Sequence, residues 1–144
     1  YMSIGVIAEI GIFIVAGKLY QAFGTKWLII FSLVATAARW WLTGEYGSIW
    51  WLLAVVQLLH ATSFGLYHSA SLQFLQQHFS KDQQNRGQAI YIAGVYGVGG
   101  AAGAFLAGIY WMDGAGAQWS FQLAAIASML AAFIALFLKT KSDE

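Results

Sequence analysis

Residues 87–112 read GQAIYIAGVYGVGGAAGAFLAGIYWM, with Arg86 before them, Asp113 after them and no charged side chain between. Crossing the roughly 30 Å hydrocarbon core of a bilayer takes about 20 helical residues, so this run is long enough to span. It is also continuously apolar, whereas a membrane barrel strand alternates apolar and polar side chains over about ten residues. In lipid every backbone N–H and C=O needs an internal partner, which a helix supplies within one segment. The stretch therefore reads as a transmembrane helix.

Outward from this run, charged residues mark off further segments of the same kind. The first covers about 2–17 and is interrupted only by Glu9. A connection from Lys18 to Lys26 leads to the second, about 27–43, which contains Arg39. The third, about 48–77, lies between Glu45 and Lys81 and carries His60 and His68. A polar stretch from His78 to Arg86 precedes the quoted run, about 87–112, and the last segment, about 114–138, fills the space between Asp113 and Lys139. The expected fold class is all-α: a polytopic membrane protein with five transmembrane helices.

The composition points the same way. Of the 144 residues 60% are hydrophobic, 17% aromatic and only 9% charged, against roughly 25% charged residues in ordinary soluble domains. A soluble enzyme would have almost nothing with which to cover its surface. The net charge of +1 is far too small for a polyanion-binding face, so nucleic acid is not the partner. With no cysteine in the chain, disulfides, thiolate metal sites and a cysteine nucleophile are excluded. No Gly-x-Ser-x-Gly elbow supplies a serine nucleophile either. Gly97-Val-Gly99-Gly-Ala-Ala102 has the spacing of a dinucleotide fingerprint but lacks the preceding strand and the βαβ frame. Neither cofactor nor metal is expected.

Lys and Arg in the short connections set orientation in a membrane. Lys18, Lys26, Lys81, Arg86, Lys139 and Lys141 fall on one side, and the connections on the other hold Glu45 and Asp113. The basic side should be cytoplasmic, with the C-terminal tail inside, as in a bacterial inner membrane. Trp40, Trp41, Tyr46, Trp50 and Trp51 bracket one outer turn, and Tyr110, Trp111 and Trp119 the other, as an interfacial aromatic belt would.

An ionisable side chain at mid-membrane costs at least about 2.5–3.5 kcal/mol, so such residues face a protein interior or a wet cavity. Glu9 lies roughly 16 residues before the turn at Thr25 and Arg39 roughly 14 after it, which puts them within about 3 Å of the same depth. The two can pair, either as a structural clip or as a site where Arg39 binds an anionic or hydroxylated solute and Glu9 exchanges protons. On the third segment Gln57, His60, Phe64, His68 and Ser71 fall within about 80° of arc on a helix. Imidazole titrates near pH 6.5, so His60 can carry a proton or can simply bond across helices. His68 lies two turns deeper, near the end of the span, where an interfacial position also suits it. The two histidines are eight apart rather than three or four, which argues against a metal site.

There is no proline, so any bend must come from glycine. Gly97, Gly99, Gly100 and Gly103 give the fourth helix a small-residue face, and Gly99-x-x-x-Gly103 is a spacing that lets helices approach closely. Close packing is the expected role, with a hinge as the alternative.

Gly17-Lys-Leu-Tyr-Gln-Ala-Phe-Gly24-Thr-Lys26 resembles the short cytoplasmic signature that joins two helices in each half of a major facilitator superfamily transporter. Ala8-Glu9-Ile-Gly-Ile-Phe-Ile, Ala38-Arg39-Trp40, Val56-Gln57-Leu-Leu-His60-Ala-Thr-Ser-Phe64 with His68, and Gly87-Gln88-Ala-Ile-Tyr91 are similar to the 3-phenylpropionic acid transporter group, relatives of lactose permease-like proton symporters. The resemblance implies that residues 1–144 make up most of a C-terminal six-helix bundle, spans eight to twelve of twelve, whose N-terminal half is missing. It further implies proton symport of a small organic solute by alternating access. Glu9, Arg39 and His60 stand where those relatives bind substrate and couple protons, with Ser63 where an acid is usual. Gln57, Phe64, His68 and Tyr91 complete the candidate set. Partners would be the lipid bilayer, a small solute such as an aromatic acid or a sugar-like molecule, and protons. Two other possibilities stay open at this point: a membrane-embedded metal enzyme built on His60 and His68, and a structural subunit in which the polar groups simply pair off.

Overall fold

The computed structural model describes the backbone of residues 2–139 and the side chains of residues 10–60 and 63–139. Among the described residues the regular structure is entirely helical. α1 (Met2–Phe23) and α2 (Thr25–Tyr46) form a hairpin with one non-helical residue between them, Gly24. Its φ is 74°, a left-handed conformation that a β-carbon disfavours and glycine adopts freely. The third span consists of α3 (Trp50–His60), a π-helical turn at Ala61–Gly65 and α4 (Leu66–His78). The fourth is α5 (Lys81–Tyr91), a π-helical stretch at Ile92–Gly99 and α6 (Gly100–Trp111), and the fifth is α7 (Ala117–Ala135). Four of these helices are long and apolar enough to cross a membrane: Thr25–Tyr46, Trp50–His78, Lys81–Gly114 and Ala117–Ala135. α1, at 22 residues, has the length for a fifth crossing.

The helices overrun the segments expected from charge at several points. The first ends at Phe23 rather than near 17, the second covers Thr25–Tyr46 rather than 27–43, and the fourth begins at Lys81 rather than near 87. Lys18, Lys26 and Arg86 are therefore helical rather than part of loops. Leaving the hydrocarbon ends the need for apolar side chains but not the backbone hydrogen bonding that favours a helix. The fifth helix is shorter than expected, Ala117–Ala135 against 114–138, because Met112–Gly114 folds as a 3-10 turn with Asp113 at φ 54°.

α2 is the central helix, packing most extensively on α7 and also on the third span and α1. Buried alanines on both helices, Ala35 and Ala37 on α2 and Ala125, Ala132 and Ala135 on α7, permit the close approach that drives association in lipid. The tightest point is Gly44, where an added β-carbon would lie 3.1 Å from Phe121 Cβ. At the same end, Gln118 Nε2 and Gln122 Nε2 both donate to Glu45 Oε1, at 3.0 and 2.6 Å. At the opposite end Leu28, Ile29, Leu66, Ala70 and Ala135 form a buried core. Tyr20 and Ser69 share a hydroxyl hydrogen bond there, and Thr25 Oγ1 donates to Gln77 Oε1 at 3.5 Å.

The fourth span is different, since no residue from Ile92 to Trp111 is buried. Added β-carbons at Gly97, Gly100 and Gly103 would meet nothing within 4 Å, and one at Gly99 only the Gly94 carbonyl, at 3.4 Å. Within this chain, the close helix approach is at Gly44 and not along that glycine face.

Candidate functional site

Arg39 is on α2, about 21 Å along the helix from Thr25. Its guanidinium carbon lies 4.1 Å over the Trp40 ring, a cation–π contact with the aromatic side chain that gives the strongest ones. Trp40 in turn stacks on Phe121 of α7, centroids 5.6 Å apart. The guanidinium is thus held from one side, and its buried Nε has no hydrogen-bond partner among the described residues. An unsatisfied buried donor of this kind costs about 1–3 kcal/mol or more. A solute that offered an acceptor there would recover that free energy.

The hollow beside this guanidinium has a volume of about 640 Å³. Trp40, Phe64, Tyr67 and Tyr96 give it aromatic walls, Thr36, Ser63 and Ser128 add hydroxyls, and Gly99 and Gly100 also line it. One cation, several aromatic rings and few hydrogen-bonding groups make it suited to a small, mostly apolar anion. Another hollow, of about 560 Å³, is lined only by apolar residues, Ile12, Leu19, Phe23, Trp27, Leu28, Phe31 and Leu66. It offers nothing to orient a polar solute.

The third span carries a column of parallel rings. His60 stacks on Phe64 at 5.4 Å and 12°, and Phe64 on His68 at 6.4 Å and 8°. In an uninterrupted α-helix each step of four residues overshoots a full turn by about 40°, so the rings would fan out. The π-helical turn at Ala61–Gly65 has more residues per turn, so four residues there fall short of a turn and the overshoot is undone. The same column separates the two imidazoles by a phenyl ring, which is incompatible with a shared metal ion at ligand distances near 2.0–2.1 Å.

The fourth span closes the column with two tyrosines. His68 Nδ1 lies 3.0 Å from Tyr96 Oη and 3.3 Å from Tyr91 Oη, and the two hydroxyls are 3.5 Å apart. Tyr96 also meets Phe64 edge-on at 6.0 Å. With Phe64, it joins the histidine column to the cavity.

Of the candidates named from sequence, Arg39 and Phe64 line the cavity together. His60, His68 and Tyr91 connect to it through Phe64 and Tyr96. Gln57, one turn before His60, is half-buried and does not line it. The side chain of Glu9 lies outside the described residues, so its pairing with Arg39 does too. Gly99 and Gly100 line the cavity, whereas Gly97 and Gly103 do not. Trp40, expected in the interfacial belt, turns inward, while Trp41, about 100° further round the helix, is the exposed one. Tyr96 escaped the sequence reading because five α-helical residues put it about 140° away from Tyr91. Only the π-helical stretch aligns them. The aromatic, glycine-rich run around it was the available signal.

Comparison with known proteins gives two matches. The sequence model of the MFS_1 like family matches residues 1–123. Over 128 residues the chain is 30% identical to a protein of Escherichia coli (strain K12) described as "Probable 3-phenylpropionic acid transporter", covering 88% of this chain and 33% of that protein. The chain thus spans about a third of the length of this curated relative. No solved structure matches it significantly.

Proposed function

Because the chain belongs to the MFS_1 like family, of major facilitator-type transporters, we propose that it forms part of a carrier moving a small aromatic carboxylate across a membrane by proton symport. The observation that carries this reading is Arg39: a membrane-embedded cation whose buried Nε has no hydrogen-bond partner among the described residues, facing a hollow walled by aromatic rings. The described name of the similar E. coli protein supports an aromatic acid over a sugar-like solute.

In this reading Arg39 holds the carboxylate while Trp40, Phe64 and Tyr96 hold the ring. His60 and Glu9 exchange the coupled proton, since both can change charge inside the membrane and imidazole does so near neutral pH. Alternating access needs two bundles rocking about a midplane site. The part of the relative that this chain does not match would supply the facing bundle, and Gly97, Gly99, Gly100 and Gly103 would pack against it. The basic helix ends would face the cytoplasm of a bacterial cell, with the outer turns at Glu45 and Asp113 on the far side.

The test is uptake of 3-phenylpropionate into proteoliposomes holding the full-length protein, with and without an inward proton gradient. Gradient-driven uptake in wild type, abolished in Arg39→Ala and uncoupled from the gradient in His60→Ala, is the expected result. Unchanged uptake and proton dependence in both variants would refute the assigned roles.

A further inference from the structure

Thr36, Ser63 and Ser128 line the hollow beside Arg39, and the hydroxyl of each has already given its proton away. Thr36 Oγ1 donates to the Ser32 carbonyl at 2.8 Å, Ser63 Oγ to the His60 carbonyl at 3.2 Å, and Ser128 Oγ to the Ala124 carbonyl at 2.9 Å. A carbonyl oxygen only accepts, so the direction of all three bonds is fixed. A hydroxyl has one proton and two lone pairs. What these side chains have left for a solute is therefore acceptor capacity. Serine and threonine commonly bond back to the preceding turn of a helix, as Ser32, Thr43 and Ser120 also do. Only beside a hollow do the remaining lone pairs meet a solute.

Thr36 and Ser128 stand at the same level of the bundle. Gly44 of α2 abuts Phe121 of α7. From that contact Thr36 lies eight residues back along α2 and Ser128 seven residues onward along α7, a difference in rise of about 1.5 Å. Both residues are half-buried, whereas Ser63 is only 2% exposed. Ser128 has no side-chain atom beyond its β-carbon except Oγ. Arg39 is one turn along α2 from Thr36, so a cation and two accepting oxygens border one space.

We propose that the solute is an aromatic carboxylate that also carries a hydroxyl group, which donates to Ser128 Oγ or Thr36 Oγ1 while Arg39 holds the carboxylate. Ser128 and Thr36 are then specificity-determining residues. This rests on the carrier reading above and narrows its substrate class. Turning either hydroxyl toward an acceptor on the solute exchanges one bond for another, whereas accepting from the solute adds one. An ammonium group is a poorer match than a hydroxyl. Among the described residues lining the hollow none is acidic and one is a guanidinium, so a second positive charge would be buried without a partner.

The experiment measures binding to the purified full-length protein at about pH 7, where a carboxylic acid is ionised and a phenol keeps its proton. The probes are 3-phenylpropionate, 3-(3-hydroxyphenyl)propionate, 3-(4-hydroxyphenyl)propionate and 3-phenyllactate, which place the hydroxyl at different distances from the carboxylate. Wild type should bind at least one hydroxylated acid roughly three- to tenfold more tightly than 3-phenylpropionate, the effect of one neutral hydrogen bond. In Ser128→Ala combined with Thr36→Val that ratio should fall to one or below, because the solute hydroxyl then enters without an acceptor. Thr36→Ser keeps both oxygens and should keep the ratio. Each variant is its own reference between probes, so a general loss of affinity does not imitate the result. If wild type binds every hydroxylated acid no better than 3-phenylpropionate, or the double variant keeps the preference, the proposal is overturned and the carrier reading stands. If wild type binds none of the probes, the carrier reading falls and the proposal with it.

Discussion

The hydroxyls of Tyr91 and Tyr96 stand 3.5 Å apart although five residues separate them. The π-helical stretch Ile92–Gly99 makes this possible, since its hydrogen bonds run from residue i to i+5. Three glycines within it, Gly94, Gly97 and Gly99, ease a geometry that side chains crowd.

Deleting one residue from this stretch, for example Val98, should restore an α-helical register and turn part of the helix by about 100°. The two tyrosines would no longer share His68. Helical content by circular dichroism should stay as it is, while 3-phenylpropionate binding weakens. Unchanged binding would mean that the hydroxyl cluster has no part in it.

The spans themselves were legible in the sequence because charge is costly in lipid and so marks where each crossing starts and stops. Arg39 and Phe64 were legible for the same reason, as a charge and a ring on faces that cannot both meet lipid. What sequence could not give is hydrogen-bond register. The wide turn at Ala61–Gly65 leaves no mark in composition and that at Ile92–Gly99 only its run of glycines, and with them went the alignment of His60, Phe64 and His68 and the place of Tyr96. Helix ends were misplaced at Lys18 and Arg86 because polarity signals the edge of the hydrocarbon, not the end of the helix.

Two glycines should behave in opposite ways. At Gly44 the facing Phe121 Cβ is already 3.1 Å from where a β-carbon would be, so Gly44→Val should force α2 from α7 and lower stability by about 1–3 kcal/mol, the usual cost of overpacking. At Gly108 on α6 a β-carbon meets open space, and Gly108→Ala should be neutral or stabilising by up to about 1 kcal/mol through helix propensity. Thermal unfolding of the full-length protein in detergent reads both. Equal effects at the two positions would contradict the packing described here.

Glu45 joins α2 to α7 through two amide donors one helical turn apart. Glu45→Ala should cost about 1 kcal/mol, the usual net value of such bonds at a wet surface. A double-mutant cycle with Gln122→Leu should show coupling, because both changes remove the same 2.6 Å contact. Strict additivity would remove this contact from the account.

A chelator should leave uptake unchanged, because Phe64 stands between His60 and His68 and keeps them from sharing an ion. Loss of uptake on chelation, reversed by added zinc, would contradict that geometry.

The central claim is that Arg39 faces a water-filled, solute-binding hollow within the bundle. A single cysteine tests it in full-length protein freed of other cysteines. Placed at Ser128, which lines the hollow, it should react with a charged maleimide and be protected by 3-phenylpropionate, while one at Leu106, which does not line it, should gain no protection from the solute. An inert cysteine at position 128, or one that reacts equally with and without the solute, would contradict the claim.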